Sequence, residues 1–331
     1  MKVLLYTENQ KVIGKSGLGK AIKHQIKALE NEGINYTLNT HDDYDILHIN
    51  TYFLKSYSLA KKAKKKGKKI VYHAHSTEED YKDGFILAKQ TSRLFKKWII
   101  KCYKLGDVII TPSLYSKRLL EGYKGLEDKK IYDVSNGIDL EFFKHDKSLR
   151  NKFRKRFGFK ENDKVIFSVG LYIERKGITD FVELAKRFPQ YKFIWFGYSP
   201  LKAATKPVRR AVKTKLDNLT FAGYVEPQII KEAMSGADLF LFLTKEETEG
   251  IPLIEALACK CNTIVRDIGA FDYLKDKKDV YKAKDLDDFE KKVKLFFQGK
   301  LKDLTENGYK VAKTKDINDV GKKLKKIYES L

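Results

Sequence analysis

The sequence has few cysteines and no long apolar run. Three cysteines occur in 331 residues. Cys259 and Cys261 lie two positions apart, so neither a disulfide framework nor a four-ligand zinc site is predicted, and these two and Cys102 are expected to be reduced structural thiols. No apolar segment reaches the roughly 18 residues of a membrane-spanning helix, and the N-terminus shows no signal-peptide cleavage site. We therefore expect a cytoplasmic protein, or one attached peripherally to the inner face of the cell membrane.

Acidic residues are too few to balance the basic ones. The chain has 44 Asp and Glu against 67 Lys and Arg, a net charge of +23, and most of the basic residues are lysines. Such an excess favours phosphate, nucleic acid or an anionic membrane surface as a partner. A lysine-rich background explains part of it, because the excess is spread over both halves of the chain. With 42% hydrophobic and 12% aromatic residues the chain is globular, and its length predicts about two domains.

Short apolar runs alternate with longer amphipathic stretches, which predicts the β-α-β pattern of parallel, doubly wound sheets. The predicted strands are 2–6, 46–49, 70–73, 108–111, 131–134, 165–169, 193–196, 219–222, 239–243 and 263–265, and the predicted helices are 18–32, 115–123, 178–188, 229–234, 252–258 and 317–331. We predict an N-terminal domain over 1–145, a C-terminal domain over 146–315 and a closing helix over 316–331 that packs back on the first domain. A ligand is then expected at the carboxyl ends of the strands, in the cleft between the domains.

Two glutamates frame the strongest chemical signal. Glu247 lies in the loop after a predicted strand and Glu255 in the next helix, with Gly250, Ile251 and Pro252 between them. Carboxylates so placed can accept hydrogen bonds from the vicinal hydroxyls of a sugar or ribose, and the amide groups at the helix start suit a phosphate. From the spacing alone, a solvated helix start with acidic residues near the positive end of the helix dipole is an equally good interpretation.

The segment 245–258 resembles the E-x7-E motif of retaining GT-B glycosyltransferases of family 4. Further similarities follow in the same order: GLYIERKG at 170–177 is similar to their G-R-x4-K-G, FAGYV at 221–225 to their F-x-G-x-V, NGID at 136–139 to their N-G-I-D, and GKSGLG at 14–19 to their glycine loop. The resemblance implies an α/β GT-B fold, in which two Rossmann-like domains face a central cleft. It also implies a retaining, metal-independent hexosyltransferase that uses a UDP-sugar donor and no cofactor.

The matched positions imply roles for individual residues. Glu247 would bind the hexose hydroxyls and Glu255 the ribose; the other residues expected around the donor are Gly17, Gly19, Tyr224, Thr248, Gly250 and Ile251. Leu171 stands where the family has an arginine on the donor diphosphate, so Arg175 and Lys176 are expected to supply the cations there. If they do not, a non-catalytic partner subunit with the same fold is the alternative.

Two histidines follow a predicted strand. His75 resembles the family histidine that hydrogen-bonds a hydroxyl of the donor sugar, and it ranks above His73 as a catalytic residue. Residues one apart in an extended chain point to opposite sides, so we expect no shared metal and a structural role for the other histidine. Acidic clusters at 42–45 and 285–288 could be mistaken for the metal-binding D-x-D of another glycosyltransferase class, but are predicted to be solvated loops.

Two stretches concentrate the positive charge. Residues 61–69 contain seven lysines and suit either a solvated helix end or a lipid contact. Residues 85–101 mix basic residues with aromatics, as does a helix lying in a membrane interface; the residues expected to contact an anionic membrane are Arg93, Phe95, Lys96, Lys97 and Trp98. A helix whose apolar face packs inside the first domain is the alternative.

The segments at 17–25 and 73–80 are most similar to bacterial enzymes that extend glucosyl-diacylglycerol, commonly by an α-galactosyl unit. The expected acceptor is therefore a membrane glycolipid, and the expected product is a diglycosyl lipid of the kind used as a lipoteichoic acid anchor. Galactose and glucose both stay open as the transferred hexose. A polyprenyl-linked acceptor of capsule or wall synthesis is the alternative within the class. Nucleic-acid binding is disfavoured, because no helix-turn-helix, zinc-finger or RNP signature occurs.

Overall fold

The computed structural model describes residues 1–9, 14, 16–82, 84 and 86–331. These residues divide into two compact units. The N-terminal unit is built from the described residues of 1–82 together with 89–139 and 315–331, and the C-terminal unit from 140–314 together with the described residues of 83–88. The main division falls after Asp139, a few residues before the boundary that the sequence predicts after residue 145.

The N-terminal unit is a parallel sheet with helices between its strands. The strands are β1 (Lys2–Tyr6), β2 (Asn35–Thr37), β3 (Ile46–Ile49), β4 (Lys69–His73), β5 (Val108–Thr111) and β6 (Lys130–Asp133), and the helices are α1 (Gly17–Asn31), α2 (Leu54–Lys65), α3 (Glu78–Lys82), α4 (Ala88–Tyr103) and α5 (Leu114–Glu121). The strand order is β2-β1-β3-β4-β5-β6. Strands β3 and β5 are buried along their whole length, which is why they are mainly apolar and do not alternate with exposed polar residues.

The C-terminal unit repeats this architecture. Its strands are β7 (Val165–Val169), β8 (Lys192–Phe196), β9 (Leu219–Gly223), β10 (Leu239–Phe242), β11 (Thr263–Arg266) and β12 (Tyr281–Ala283), and its helices are α6 (Leu149–Phe157), α7 (Ile178–Arg187), α8 (Lys206–Lys213), α9 (Pro227–Gly236), α10 (Ile251–Ala258), α11 (Leu286–Phe297) and α12 (Thr305–Lys313). All pairings are parallel, in the order β12-β11-β10-β7-β8-β9. Each unit therefore has a doubly wound sheet of its own.

The last helix, α13 (Ile317–Glu329), belongs to the N-terminal unit. The five apolar positions that predict it are all buried: Ile317, Val320, Leu324, Ile327 and Tyr328. It packs closely on α1, because a Cβ added at Gly321 would lie 2.6 Å from the carbonyl oxygen of Ala28. The chain thus starts and ends in the same unit.

The pattern of apolar residues leaves several elements unpredicted. The edge strands β2 and β12 have three residues each, too few for a visible pattern. Helices α2, α8, α11 and α12 are rich in lysine, so their buried residues are few; α8 buries only Val208 and Ala211. Short edge strands and narrow apolar stripes contribute little to periodicity, although tertiary packing is sufficient to form them.

The three cysteines are free and buried, which confirms that they are structural thiols. Burial raises the pKa of Cys102 to about 11 and that of Cys259 to about 12, so both stay protonated at neutral pH. Among the described residues, no helix is long and apolar enough to cross a membrane.

Candidate active site

The order of strands in the C-terminal sheet places two loops side by side. Strands β7 and β10 are neighbours in the sheet, although β8 and β9 lie between them in sequence. The switch point of the sheet therefore lies between the loops 170–177 and 243–250. Ligands of open α/β sheets bind at such a point, outside the carboxyl ends of the strands. The structure thus brings the G-R-x4-K-G-like segment and the E-x7-E-like segment together.

Glu247 is the centre of this site. Its carboxylate forms an ion pair with Lys176 Nζ, and it lies 3.6 Å from Arg175 Nη1 and 3.1 Å from Thr244 Oγ1. Burial alone would raise the pKa of Glu247, but the charges of Lys176 and Arg175 and hydrogen bonds from Lys176 and Thr244 outweigh it, so the pKa is lowered. Glu247 is therefore an anion at neutral pH. The residue assigned to the hexose and the two assigned to the diphosphate form one network.

Arg175 joins the two loops through the backbone as well. Its Nη1 donates to the carbonyl of Glu246 at 2.7 Å, and the amide of Lys245 donates to the carbonyl of Arg175 at 2.7 Å. Arg175 is 9% exposed, whereas Leu171, at the family's arginine position, is half-buried. The guanidinium of Arg175 consequently contacts the carboxylate of Glu247 and the carbonyl of Glu246. Only a small part of the Arg175 surface reaches solvent.

Two glycines make this close approach possible. Gly177 has φ +76°, and a Cβ there would lie 2.4 Å from the carbonyl oxygen of Leu243. Gly250 has φ +86°, and a Cβ there would lie 3.0 Å from Phe271 and 3.1 Å from Phe242. Both positions combine a left-handed backbone with a crowded neighbour, so only glycine fits either without strain.

The start of α10 carries the remaining predicted donor residues of this loop. Gly250 is the residue before the helix, and Ile251 and Pro252 begin it. Thr248 is half-buried, whereas Ile251 is buried and Glu255 is fully buried in the second turn. The free amide groups of a first helical turn favour an anion. The predicted donor residues 248–255 therefore surround a helix start beside Glu247.

Tyr224 follows β9 directly and is 38% exposed. Burial, and then the charge of Glu226, raise the pKa of Tyr224, so its hydroxyl stays protonated and can donate.

The sequence pattern does not identify two further residues of this unit, Glu249 and Tyr273. Glu249 is 1% exposed, and burial, followed by the charges of Glu249 and Glu247, raises the pKa of Tyr273 well above its usual value. The position of Glu249 inside the motif is a usable signal, but nothing local marks Tyr273.

The glycine segment at 14–19 lies partly outside the described residues, which omit 10–13 and 15. Ser16 caps α1, and its side chain accepts a hydrogen bond from the Gly19 amide at 3.3 Å. A Cβ at Gly17 would meet nothing within 4 Å. The helix start is therefore open at Gly17, while the Gly19 amide is engaged by the cap.

The rings of His73 and His75 do not point to opposite sides. Their centroids are 3.9 Å apart and their planes differ by 6°. The prediction is wrong because β4 ends at His73, and the alternation of an extended strand does not continue to His75. His73 is 2% exposed and its Nδ1 lies 2.7 Å from Gln25 Nε2, as expected of a histidine with a structural role.

A buried polar network holds His75. Its Nε2 lies 2.8 Å from Asn50 Oδ1, so Nε2 donates and Nδ1 is left as an acceptor. On the other side of the stack, His48 Nε2 lies 3.1 Å from His73 Nδ1, and His48 Nδ1 lies 2.5 Å from the hydroxyl of Tyr328. Burial lowers the pKa of His48 to about 3, and burial with the charge of His48 lowers that of His75 to about 3. The imidazoles are therefore neutral.

Three of the five residues that are predicted to contact a membrane, Phe95, Lys96 and Trp98, are half-buried and have partners within the N-terminal unit. Phe95 meets the ring of Tyr52 edge-on at 5.2 Å, and the indole nitrogen of Trp98 donates to the carbonyl of Tyr52 at 2.6 Å. Lys96 pairs with Glu78 at 3.1 Å. These contacts favour the alternative that this face of α4 packs against its own unit, because an aromatic stripe beside lysines suits such a face as well as a membrane face.

The outer face of α4 is basic with one exposed leucine. Arg93 and Lys97 are exposed, as is Lys101, and Leu94 is 66% exposed. Phe85, the first residue of the predicted stretch, lies outside the described residues. The face that α4 presents to solvent thus keeps the composition of a membrane contact without its aromatic residues.

The acidic clusters have structural roles. Asp42 accepts a hydrogen bond from Thr37 at 2.6 Å. Asp285 caps α11, with Asp287 and Asp288 in its first turn, so this cluster is a helix start and not the predicted loop. Among the described residues, no group of three or more His, Cys, Asp or Glu side chains is arranged to hold a metal ion.

Comparison with known proteins identifies the family. The family model "Glycosyltransferase Family 4" matches residues 19–142, and "Glycosyl transferases group 1" matches residues 150–311. A processive diacylglycerol alpha-glucosyltransferase of Acholeplasma laidlawii is 39% identical over 334 residues, covering 100% of this chain and 98% of that protein. The chain belongs to glycosyltransferase family 4. The enzyme is also 22% identical to the alpha-galactosylglucosyldiacylglycerol synthase of Streptococcus pneumoniae, over 82% of this chain and 74% of that protein.

Solved structures share the fold of this glycosyltransferase. Anabaena HepE in complex with UDP-glucose matches with a TM-score of 0.78 at 17% identity, and each chain is covered completely. Sucrose-phosphate synthase from Thermosynechococcus elongatus matches with a TM-score of 0.81 at 13% identity, over 100% of this chain and 98% of that one. The enzyme therefore has the GT-B fold, as its motifs predict.

Proposed function

We propose that the enzyme transfers glucose from UDP-glucose to diacylglycerol lipids, with retention of configuration and without a metal ion. The observation that carries the proposal is the 39% identity, over the whole chain, to a processive diacylglycerol alpha-glucosyltransferase. The relative named for galactosyl transfer is 22% identical, which favours glucose over galactose. Following the first relative, both diacylglycerol and its monoglucoside are proposed as acceptors.

The proposed donor site is the switch point of the C-terminal unit. Lys176, backed by Arg175, would stabilise the negative charge that develops on the leaving diphosphate. Glu247 would accept hydrogen bonds from the hexose hydroxyls, and Glu255 would hold the ribose. Because Glu247 and Lys176 are already paired, one contact would fix the hexose and the leaving group relative to each other. Tyr224, Thr248, Gly250 and Ile251 would complete this site.

The state of Glu247 suits retention without a protein nucleophile. Its lowered pKa and its ion pair with Lys176 make it a weak base and a weak nucleophile, but a strong hydrogen-bond acceptor. In the mechanism that the family implies, the acceptor hydroxyl attacks from the face that UDP leaves. The site then has to stabilise charge on the leaving phosphate, which cations and helix-start amides do better than a strong base.

His75 is proposed as the residue of the N-terminal unit that contacts the transferred hexose. With Nε2 donating to Asn50, Nδ1 carries the lone pair and would accept a hydrogen bond from a sugar hydroxyl. The buried contacts of His73 and His48 hold the ring stack in place.

We also propose peripheral attachment to an anionic membrane through the N-terminal unit. Four exposed residues of α4, Arg93, Leu94, Lys97 and Lys101, combine three cations with one apolar side chain. Helix α2 is next to it, since the ring of Tyr57 lies 5.3 Å from that of Trp98. Basic residues attract anionic headgroups, and an apolar side chain inserts between them.

The test is mass spectrometry of the lipids formed from labelled UDP-glucose and UDP-galactose. With diacylglycerol vesicles we expect mono- and then diglucosyl lipid from UDP-glucose. Glu247→Gln and Lys176→Met should each lower kcat by about a hundredfold, the effect of removing one electrostatic partner of a transition state. Lys186→Met, on an exposed lysine of α7, is the control and should keep full activity. Transfer only from UDP-galactose, only to a polyprenyl acceptor, or undiminished in Glu247→Gln would contradict the proposal.

A further inference from the structure

The N-terminal unit has a cavity at its own switch point. Strands β1 and β3 are neighbours, although β2 lies between them in sequence. The cavity has a volume of about 350 Å³ and is lined by Glu8, Asn9, Phe53, Leu54 and Trp98. Glu8 and Asn9 follow β1, and Phe53 and Leu54 follow β3, so the cavity lies where an open α/β sheet binds its ligand. Its size is at the lower end of the range of roughly 300–1,000 Å³ for ligand pockets, which suits one sugar ring.

Glu8 is anchored through one carboxylate oxygen. Oε2 accepts hydrogen bonds from the amide of Ser56 at 2.9 Å and from its hydroxyl at 3.1 Å. The amide of Glu8 donates to Thr51 Oγ1 at 3.0 Å. Ser56 is in the first turn of α2, where a negative charge is favoured by the helix dipole. These contacts fix the position of the Glu8 carboxyl group, which is 9% exposed.

The second oxygen of Glu8 faces a different environment. Among the described residues, Oε1 has no hydrogen-bond partner, and Glu8 is one of the residues lining the cavity. A carboxylate oxygen accepts strong, charge-assisted hydrogen bonds from hydroxyl groups. Anchoring Oε2 thus fixes the direction in which Oε1 can accept, which is the arrangement that recognises a ligand donor without reorganisation.

Two aromatic rings form the walls of the cavity. The indole nitrogen of Trp98 is bonded to the Tyr52 carbonyl at 2.6 Å, so the ring is fixed and presents only carbon atoms elsewhere. Phe53 is 36% exposed, and its ring lies 5.1 Å from that of Tyr52. A pyranose has C–H groups on its faces, which pack on aromatic rings, and hydroxyl groups at its edge, which donate to carboxylates. The cavity offers both kinds of partner.

We propose that this cavity binds the terminal hexose of a glycolipid acceptor, with Glu8 accepting hydrogen bonds from its hydroxyls and Trp98 and Phe53 packing against its ring. The inference rests on the proposed function, because an acceptor hexose exists only if the enzyme extends a glycosylated lipid. Leu54 is 72% exposed at the edge of the cavity, where the lipid part of the acceptor would begin. Diacylglycerol itself carries no hexose and would leave the cavity empty.

This difference between the two acceptors gives the experiment its internal control. In Glu8→Gln, the amide oxygen can still accept from Ser56 and hold α2, while the amide NH₂ replaces the accepting oxygen at the cavity. We expect the KM for monoglucosyl-diacylglycerol to rise about tenfold or more, as expected for losing a hydrogen bond to a charged group. The KM for diacylglycerol and the KM for UDP-glucose should not change. Phe53→Ala should act in the same direction, whereas Leu114→Ala, at a leucine that is 49% exposed and does not line the cavity, should not.

A binding measurement that does not require transfer separates this inference from the proposed function. The chain has two tryptophans, and Trp195 is fully buried, so a fluorescence change on adding octyl α-glucoside below its micelle concentration reports on Trp98. We expect saturation in the native enzyme and an apparent Kd about tenfold higher in Glu8→Gln. Octyl alcohol should give no saturable change; if it does, the cavity binds the lipid chain and not the sugar. The inference would also be overturned if Glu8→Gln raised the KM for both lipid acceptors equally, or changed the KM for neither. Failure of the proposed function would instead appear as no transfer from either UDP-sugar in any variant.

Discussion

Buried histidines make the N-terminal unit sensitive to acid at the scale of single residues. His48 and His73 are buried and His75 is half-buried in one ring stack, and each is held neutral because burial disfavours the charged ring. The network leaves no carboxylate in contact with any of the three rings among the described residues, so nothing nearby would stabilise a protonated form. Protonation must therefore be coupled to opening of the network.

The pH dependence of stability follows from these pKa values. The unfolded chain takes up a proton on each histidine near the ordinary value of 6.5, whereas folded His48 and His75 do so near 3. Between these values the unfolded state binds more protons, so the free energy of unfolding is at its full value above pH 6.5 and falls as the pH is lowered. Each neutral histidine should contribute about 1.4 kcal/mol per pH unit well below 6.5. Urea denaturation at pH 7.5, 6 and 5 measures the slope.

Removal of one ring isolates its share of that slope. His48→Gln retains hydrogen-bonding atoms but no titrating group. Between pH 6 and pH 5 its free energy of unfolding should therefore fall less than that of the native enzyme, by about the 1.4 kcal/mol that one histidine contributes per pH unit. His41→Gln, at an exposed histidine, is the matched control and should keep the native slope. Identical slopes in the native enzyme and His48→Gln would show that His48 is already protonated in the folded state.

Residues within motifs were predictable from sequence, and their partners were not. Glu247 and His75 could be singled out because they resemble family positions. Asn50 and Tyr328 could not be singled out, because each meets a histidine distant in sequence, and only the sheet and α13 bring them together. Glu8 is similar, since an isolated glutamate after a strand carries no signal until the first turn of α2 is placed against it.

At the scale of elements, the reliability of the sequence pattern depends on burial. Strands buried on both faces, such as β5 and β10, are runs of apolar residues and were predicted within one residue of their ends. Helix α4 was predicted as a helix, but the pattern assigned its aromatic face to lipid, whereas Phe95 and Trp98 pack on Tyr52. Periodicity shows which face of a helix is apolar; it does not show whether protein or lipid covers that face.

The outward face of α4 is therefore the part to test for membrane binding. Changing Arg93, Lys97 and Lys101 together to glutamine removes three exposed cations. The inward contacts of Phe95, Lys96 and Trp98 stay in place, while Lys101 loses its contacts with the rings of Tyr57 at 5.3 Å and Trp98 at 6.0 Å. At about 1 kcal/mol per basic residue near an anionic surface, the partition coefficient onto vesicles with phosphatidylglycerol should fall roughly a hundredfold. Vesicle flotation measures it, and phosphatidylcholine vesicles should show weak binding by all variants.

A second triple variant controls for net charge. Lys284, Lys291 and Lys302 are exposed on the C-terminal unit, and their change to glutamine lowers the net charge by the same amount. We expect this variant to float with anionic vesicles as the native enzyme does. If both triple variants lose binding equally, the excess of +23 acts as a diffuse charge, and α4 has no special role.

At the scale of the whole molecule, the sequence repeats one architecture twice and then returns to the first copy. The N-terminal unit is complete only with α13, whose apolar residues join the core that includes Val3, Ile46 and Ile110. The predicted closing helix was recognisable because its apolar spacing is regular. Its point of contact with α1 was not recognisable, because the need for glycine at position 321 is apparent only once α1 lies across it. The stability of the N-terminal unit therefore depends on a helix that is separated from the rest of that unit in sequence by the whole C-terminal unit.

Gly321→Ala tests this dependence. A Cβ at this position would lie 2.6 Å from the Ala28 carbonyl oxygen and 2.7 Å from Glu32 Cγ, so α13 must move away from α1, at a cost of about 1–3 kcal/mol for overpacking. Each unit contains one tryptophan, Trp98 or Trp195, so unfolding in urea can be followed separately in Trp195→Phe and Trp98→Phe backgrounds. The midpoint reported by Trp98 should fall while that reported by Trp195 stays unchanged. The control is Lys323→Ala, on the exposed side of α13, which should shift neither midpoint. An equal fall of both midpoints in Gly321→Ala would mean that the two units unfold as one. An unchanged Trp98 midpoint would mean that α13 does not stabilise the N-terminal unit through this contact.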